Sequence, residues 1–247
     1  MVVKSVRKAL DILQFLSNNP GKPVMLTEIS RQVGINISTC SHILETLSSS
    51  LMVERVSRKE GYRLGPGAYM LTRFDRYREE LIKIAAPVLE WLSKNVEGAV
   101  FLATVCDGVK YVVYHIDKNG ILENSDGRMI KGCMRDTATG MLLLAYMGKE
   151  ELNRVAFREN DNIPSVFDVT RDMSAEFTAI LEKKYYHIYH ADETAHSYAF
   201  TVRCKSKEVA SIGVLYLGEE NDGEISENVI RKGMLAAKEL SRRLAFD

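Results

Sequence analysis

The ten residues HIYHADETAH, at positions 187–196, carry five side chains of the types that bind metal ions. Histidine nitrogens and carboxylate oxygens are common zinc ligands. The spacing does not define a site, because His187 and His190 would point to opposite faces of a strand. The stretch therefore has two interpretations. Either a metal is held by His187, His190 and His196, or the segment is a partly solvated polar loop without a cofactor, which the spacing favours.

A second set of polar residues lies at the start of the sequence DTATGMLLLAYM, where a helix is expected to begin. The free N–H groups of a helix N-terminus favour a bound carboxylate. Thr137, Thr139 and Gly140 are therefore candidate ligand-binding residues. Ordinary N-capping by Thr137 explains the same residues without a ligand, and both interpretations stay open.

The stretch GINISTCSHILETL carries hydrogen-bonding side chains but no Lys or Arg. Apolar residues at three- and four-residue steps predict a helix with one buried face, formed by Ile37, Cys40, Leu44, Leu47 and Leu51. Ser38, Thr39 and His42 are left on the exposed face. Hydroxyl and imidazole groups in such positions can bind base edges or phosphates.

The elements around this stretch predict a winged helix-turn-helix. An amphipathic helix from Val3 to Leu16 is ended by NNPGKP, and a short helix, EISRQVG, precedes the turn at Gly34. Thr27 is expected to cap the short helix, and Asn36 or Ser38 the following one. Two strand-like runs, MVERVS and GYRLG, then form a hairpin. Helix, short glycine-containing turn and longer helix are typical of DNA-binding domains.

Basic residues accompany these elements, and we expect them to contact phosphates: Arg7, Arg31, Arg55, Arg58, Lys59 and Arg63. Residues 1–80 hold 12 Lys and Arg against 8 Asp and Glu, whereas the rest of the chain holds 21 against 25. This asymmetry indicates two modules with different partners. A surplus of four charges favours a polyanion such as DNA without requiring one.

The remaining two thirds predict an α/β domain of helices packed on a sheet. A hairpin is expected at Asp107-Gly108 in AVFLATVCDGVKYVVYHID, followed by several helices, two further strands and a last helix from Ile225 to Leu244. No apolar run approaches the roughly 20 residues of a membrane span, and no signal peptide is evident. We expect a cytoplasmic protein that does not contact membranes, and four widely spaced cysteines that stay reduced.

The sequence resembles the IclR-type bacterial transcription regulators in VRKALDILQFL, LTEISRQVGINISTCSHILETL and EGYRLGPGAYML. The resemblance implies a winged helix at 1–65, a linker helix at 66–80 and a GAF-like α/β effector-binding and oligomerisation domain at 81–247. It also implies no enzyme but a repressor-like regulator, a homodimer or homotetramer on palindromic operator DNA. Its effector would be a small acid or aromatic metabolite.

The resemblance places the effector beside the helix that begins at Thr137 and along the segment KKYYHIYHADETAHSYAF. It adds Asp136, His190, Asp192 and Ser197 to the candidate effector-binding residues. The sequence departs from the family pattern at Ile37, where Lys is usual, and at Asp136, where Cys is usual. A carboxylate at Asp136 would repel an acidic ligand unless it is protonated or paired.

Two other hypotheses stay open at this stage. The chain can be a metabolite- or metal-binding enzyme whose helix-turn-helix serves only for dimerisation, or a sensor that binds DNA and has lost its ligand. Enzyme motifs such as G-x-S-x-G, H-E-x-x-H and the phosphate loop do not occur in the sequence.

Overall fold

The computed structural model describes residues 2–19, 22–57, 59–71, 78–117, 130–132, 134–158, 174–203 and 209–246. The chain divides into two units, Met1–Arg76 and Tyr77–Asp247. The first unit holds three helices followed by a two-stranded hairpin, and the second holds a six-stranded sheet covered by helices. This arrangement confirms the predicted combination of a winged helix-turn-helix with an α/β domain. The linker helix predicted at 66–80 lies partly outside the described residues.

The first unit is built from α1 (Lys4–Ser17), α2 (Leu26–Gln32), α3 (Ile37–Ser49), β1 (Val53–Ser57), β2 (Gly61–Leu64) and the short α4 (Pro66–Met70). One residue from each of the first three helices is completely buried in a common hydrophobic cluster: Ile12, Ile29 and Leu44. The antiparallel β1–β2 hairpin packs beside them and forms the wing. The core of this unit is therefore small and shared by the first three helices and the hairpin, whereas α4 has no buried residue.

Two details of the first unit differ from the sequence prediction. The α2 helix begins two residues earlier, at Leu26 with Met25 as N-cap, so Thr27 does not cap it. The apolar face of α1 is also divided, because Ile12 and Leu16 are buried whereas Val6 and Leu10 are more than half exposed. The helical period fixes which residues share a face, but not which of two apolar faces a neighbour covers.

The second unit begins with α5 (Glu79–Asn95), followed by β3 (Ala99–Cys106), β4 (Val109–Ile116), β5 (Ile130–Gly132), α6 (Ala138–Ala145), α7 (Lys149–Arg158) and α8 (Ser174–Lys183). The strands β6 (Tyr185–His190), β7 (Ala195–Arg203) and β8 (Val209–Leu217) precede the last helix, α9 (Gly223–Phe246). The six strands pair antiparallel in the order β5-β4-β3-β8-β7-β6. No helix among the described residues is long and apolar enough to cross a membrane.

Strand alternation sorts the side chains of this sheet onto two buried faces. Tyr198, Phe200 and Tyr216 pack with α5 and α9, and we name this the α9 face. Ala103, Ala199 and the partly buried Ile188 pack with α6 and α8, and we name this the α6 face. The tight β3–β4 turn at Asp107-Gly108 has positive φ at both residues, 49° and 77°, as a type I′ turn requires, and it confirms the predicted hairpin.

The wing depends on the close approach of two backbones at Gly61. Val24, before α2, exchanges two hydrogen bonds with Tyr62 on β2, N to O distances 2.7 and 2.8 Å. A Cβ atom at Gly61 would lie 2.2 Å from the Val24 carbonyl oxygen, and its φ is +99°. Gly34 has a φ of +66°, but nothing lies within 4 Å of its Cβ position.

We therefore expect Gly61→Ala to destabilise the first unit far more than Gly34→Ala. Gly34→Ala carries only the left-handed backbone cost of roughly 1–2 kcal/mol, whereas Gly61→Ala adds a clash with a backbone that cannot rotate away. Chemical denaturation followed by circular dichroism measures both free energies of unfolding. Equal losses in the two variants would contradict the importance of the close approach to Val24.

Candidate nucleic-acid interface and effector site

The exposed side of α3 carries the side chains predicted to contact DNA. Asn36 caps the helix by accepting a hydrogen bond from the Thr39 N–H at 2.7 Å. Ser38 and His42 are exposed, whereas Thr39 is half-buried and lines a cavity between α1 and α3 with Ser5 and Val6. The described side chains therefore present Ser38 and His42 to solvent from the first two turns of α3.

The buried side of α3 is narrower than the sequence pattern indicates. Cys40 and Leu44 are completely buried, and Leu47 is half-buried. Ile37 and Leu51 were predicted to continue this stripe, but they are 53% and 59% exposed. Ile37 starts the helix beyond the edge of the core, and Leu51 follows its end with a positive φ of 58°.

The predicted phosphate-binding residues fall into two groups according to their contacts. Arg7, Arg31 and Lys59 are exposed and form no ion pair with the described residues. Arg63 forms a short ion pair with Glu54, its cross-strand partner on the wing. Arg55 lies over the Tyr62 ring, with its guanidinium carbon 5.5 Å from the ring centroid. Arg58 lies outside the described residues.

The predicted effector residues fall on the α6 face but not in one cluster. At the start of α6, Thr137 accepts the Gly140 N–H at 3.2 Å, which confirms the N-cap, and Thr139 is buried. His190 on β6 and Ser197 on β7 lie on the same sheet face, since His190 pairs with Ala195 and Ser197 with Ile188. Asp136 and Asp192 are exposed.

A buried lysine joins the start of α6 to the sheet, and sequence reasoning missed it. Lys110 on β4 is 2% exposed, and its ammonium group donates to the hydroxyls of Thr137 and Thr139, the latter at 3.3 Å. A fully buried lysine is rare because desolvation of the charge is costly. The alternation of KYVVYH already placed Lys110 on the opposite strand face from Tyr111, but nothing in the sequence indicated which face α6 covers.

Further buried hydroxyls lie on the α6 face. Ser211 on β8 is completely buried, and its nearest hydrogen-bond acceptor is the Ile212 carbonyl at 3.5 Å. Ser197 is 5% exposed. Its backbone pairs with β6 and β8, but its hydroxyl makes no hydrogen bond with the described residues. Buried hydroxyl groups normally find a partner. The α6 face therefore presents a buried cation and hydroxyl groups with unused hydrogen-bonding capacity.

The three histidines proposed as metal ligands do not converge. His187 and His196 lie on the α9 face, where their facing nitrogens are 3.0 Å apart, whereas His190 lies on the α6 face. Within the described part of the chain, no three His, Cys, Asp or Glu side chains are grouped as a metal site would need. The alternative of a solvated loop is also wrong for His196, which is 1% exposed on β7; only residues 191–194 form a turn.

Hydrogen bonds assign the proton positions of this histidine pair. The Glu219 carbonyl oxygen can only accept, so His196 donates from Nε2 at 2.8 Å. Neutral His196 then accepts at Nδ1 from His187 Nε2. The His187 ring also stacks on Tyr198, with 4.2 Å between ring centroids. Burial, followed by the adjacent His196 and His190, lowers the pKa of His187 from 6.5 to about 4.

Comparisons with known proteins assign the first unit to a domain family and relate the chain to bacterial regulators. The IclR helix-turn-helix domain family matches residues 5–57, which cover α1 to β1 and therefore the entire helix-turn-helix. The HTH-type transcriptional regulator TtgV of Pseudomonas putida is 26% identical over 150 residues, 61% of this chain and 57% of TtgV. The transcriptional repressor IclR of Escherichia coli is 23% identical over 159 residues, 64% of this chain and 58% of the repressor. Residues 5–57 belong to the IclR helix-turn-helix domain family, and the chain is similar to IclR-type regulators.

Solved structures of IclR proteins share the fold of the complete chain. An IclR transcriptional regulator from Alicyclobacillus acidocaldarius has a TM-score of 0.71 at 22% identity and covers 98% of this chain and 99% of its own. An IclR homolog from Microbacterium hydrocarbonoxydans, complexed with 4-hydroxybenzoate, has a TM-score of 0.73 at 16% identity, with 98% and 100% coverage. In contrast, the matches to TtgV and the E. coli repressor span less than two thirds of those proteins.

We expect the stability of this protein to decrease in acid because of His187. Its pKa is lower in the folded chain, so the unfolded chain binds more protons between pH 6.5 and about 4, and stability in that window rises with pH. Between pH 7.5 and 5 the contribution of His187 is about 1–2 kcal/mol, allowing for its partial exposure.

His187→Gln tests this contribution, because glutamine can still donate to His196 but does not titrate. Urea unfolding at pH 7.5 and 5 should show a smaller acid-induced loss in His187→Gln than in the unaltered protein. His42→Gln, at an exposed histidine on α3, is the matched control. An acid-induced loss that His187→Gln leaves unchanged would contradict this role of His187.

Proposed function

We propose that this protein is a ligand-responsive transcription regulator that binds operator DNA through its first unit and a small carboxylate through its second. The observation that carries the proposal is the IclR helix-turn-helix match over a unit whose α3 presents Ser38 and His42 to solvent. The relatives bear the names of transcriptional regulators and repressors, which disfavours the enzyme alternative. A cytoplasmic location follows from this role and is part of the proposal.

The contacts of the basic residues suggest a division of labour at the DNA. Arg7, Arg31 and Lys59 are exposed and can neutralise phosphates, as can Arg55 beside Tyr62. Arg63 contributes less because Glu54 already neutralises it. The α3 helix, which has no Lys or Arg, contributes hydrogen bonds to bases. Phosphate contacts would thus supply affinity, and α3 would supply sequence discrimination.

Assembly as a homodimer, with further association into a tetramer, is part of the same proposal. Val3, Val6 and Leu10 on α1 are each more than half exposed, and such a row of apolar side chains favours contact with a second copy. Two copies related by a two-fold axis bind an inverted repeat. A palindromic operator is the DNA that such a dimer would recognise.

DNA selected from a random pool by the complete protein tests the regulator proposal. We expect selected sequences to contain inverted repeats and the affinity to fall steeply with salt, because bound phosphates release counterions. Arg31→Ala should weaken binding to selected and random DNA alike and reduce the salt slope by about one. Ser38→Ala should instead reduce the preference for selected DNA by about fivefold or more, as one base contact contributes.

Lys94→Ala, which removes an exposed cation from α5 in the second unit, is the matched control and should change neither quantity. Failure of the pool to enrich any sequence, or binding that does not respond to salt, would overturn the proposal. Equal loss on selected and random DNA in Ser38→Ala would contradict the division of labour.

The α6 face suggests the chemistry of the effector. The ammonium group of Lys110 and the N-terminal N–H groups of α6 both favour an anion. A related IclR homolog was crystallised with 4-hydroxybenzoate, a carboxylate on an aromatic ring. These observations together support a small carboxylic acid, with the carboxylate toward Lys110.

Thermal unfolding of the complete protein with 4-hydroxybenzoate and a panel of small acids tests this effector class. We expect an acid to raise the melting temperature, and its uncharged amide to do so much less, because ligand binding stabilises only the folded state. Lys110→Met should abolish the shift, measured against its own baseline. Lys183→Met, on α8, is the control.

Acids and amides that stabilise equally would contradict carboxylate recognition. A panel that stabilises neither the unaltered protein nor any variant would favour the hypothesis of a sensor without a ligand. Neither result affects the DNA-binding proposal, which the pool selection tests separately.

A further inference from the structure

Ile37 occupies an unusual position for a branched apolar side chain. It is the first residue of α3, and 53% of it is exposed. Every other large apolar side chain of α3 is buried or half-buried, including Ile43, Leu44 and Leu47. The residues beside Ile37 on the exposed surface, Ser38 and His42, are polar. The structure therefore does not use Ile37 to form the core of the first unit.

The backbone around Ile37 is firmly held. Asn36 accepts the Thr39 N–H at 2.7 Å, and the buried Ser30 hydroxyl donates to the Ile35 carbonyl at 2.5 Å. Isoleucine is itself stiff, because its branched Cβ leaves one strongly preferred rotamer in a helix. Ile37 thus presents a preorganised apolar surface, and a contact with it loses little conformational entropy.

The major groove offers one apolar feature that suits such a surface. In helix-turn-helix proteins the N-terminal residues of the second helix contact base edges. The hydrogen-bonding groups of the base edges can pair with Ser38 and His42, whereas the C5-methyl group of thymine can pack against an aliphatic side chain. Isoleucine cannot donate or accept a hydrogen bond, so it cannot use the other edge groups.

We propose that Ile37 is a specificity-determining residue that recognises thymine through its C5-methyl group. The proposal rests on the proposed DNA-binding function and adds the base that the start of α3 selects. Burial of one methyl group against Ile37 corresponds to about a fourfold gain in affinity. Ser38 and His42 would contact the neighbouring bases.

Deoxyuridine, which lacks only the methyl group, tests the contact without altering the protein. In the DNA selected from the random pool, each thymine of one half-site is replaced singly by deoxyuridine. We expect one position at which the replacement weakens binding of the unaltered protein by about fourfold. Ile37→Ala should lose about the same factor on thymine DNA and show no further loss on the deoxyuridine DNA.

Val56→Ala is the matched control, because Val56 is a 38% exposed branched residue on the wing. This variant should keep the full deoxyuridine effect. The inference is overturned if no replacement weakens the unaltered protein, or if Ile37→Ala keeps the same deoxyuridine penalty. Failure to select any DNA would instead overturn the proposed function, and the thymine contact with it.

Discussion

Burial of the central sheet on both faces constrains every polar side chain that its strands carry. From Ala195 to Phe200 each residue of β7 is buried, whichever face it occupies. A polar group there has lost water and must find a partner. The α9 face meets this requirement in part, through the contacts among His187, His196 and the Glu219 carbonyl, but the buried Thr104 hydroxyl on this face has no partner among the described residues. On the α6 face, the Lys110 ammonium group donates to the hydroxyls of Thr137 and Thr139.

The two faces nevertheless favour different roles, a structural role for the α9 face and a binding role for the α6 face. On the α9 face the histidines are stacked with Tyr198 and Tyr216, and each facing nitrogen has a hydrogen bond. A metal ion there would have to displace those bonds. On the α6 face, Lys110 lies close to the positive end of the α6 helix dipole, where a second positive charge is unfavourable.

Local chemistry made much of the fold predictable from the sequence. Gly34, the Asn36 cap and the Asp107-Gly108 turn each have one favoured conformation, and the structure contains all three. The predictions failed where the packing of a neighbouring element decides whether a side chain is buried. Ile37 was assigned to the core because it has the helical spacing, and His196 to a loop because its segment is polar. Lys110 was overlooked because its burial depends on α6, which lies more than 25 residues later in the chain.

The small number of positive charges on the first unit affects how it can discriminate among DNA sequences. Internal pairing with Glu54 removes one of the few positive charges of the described wing, and α3 has none. Weak general attraction to phosphates lowers affinity for every sequence equally, so contacts with bases account for a larger share of the total. A helix that begins with a rigid apolar residue beside a hydroxyl and an imidazole combines shape with hydrogen bonding. Such a surface rejects a wrong base through an unmade hydrogen bond or a missing methyl contact, and neither depends on charge.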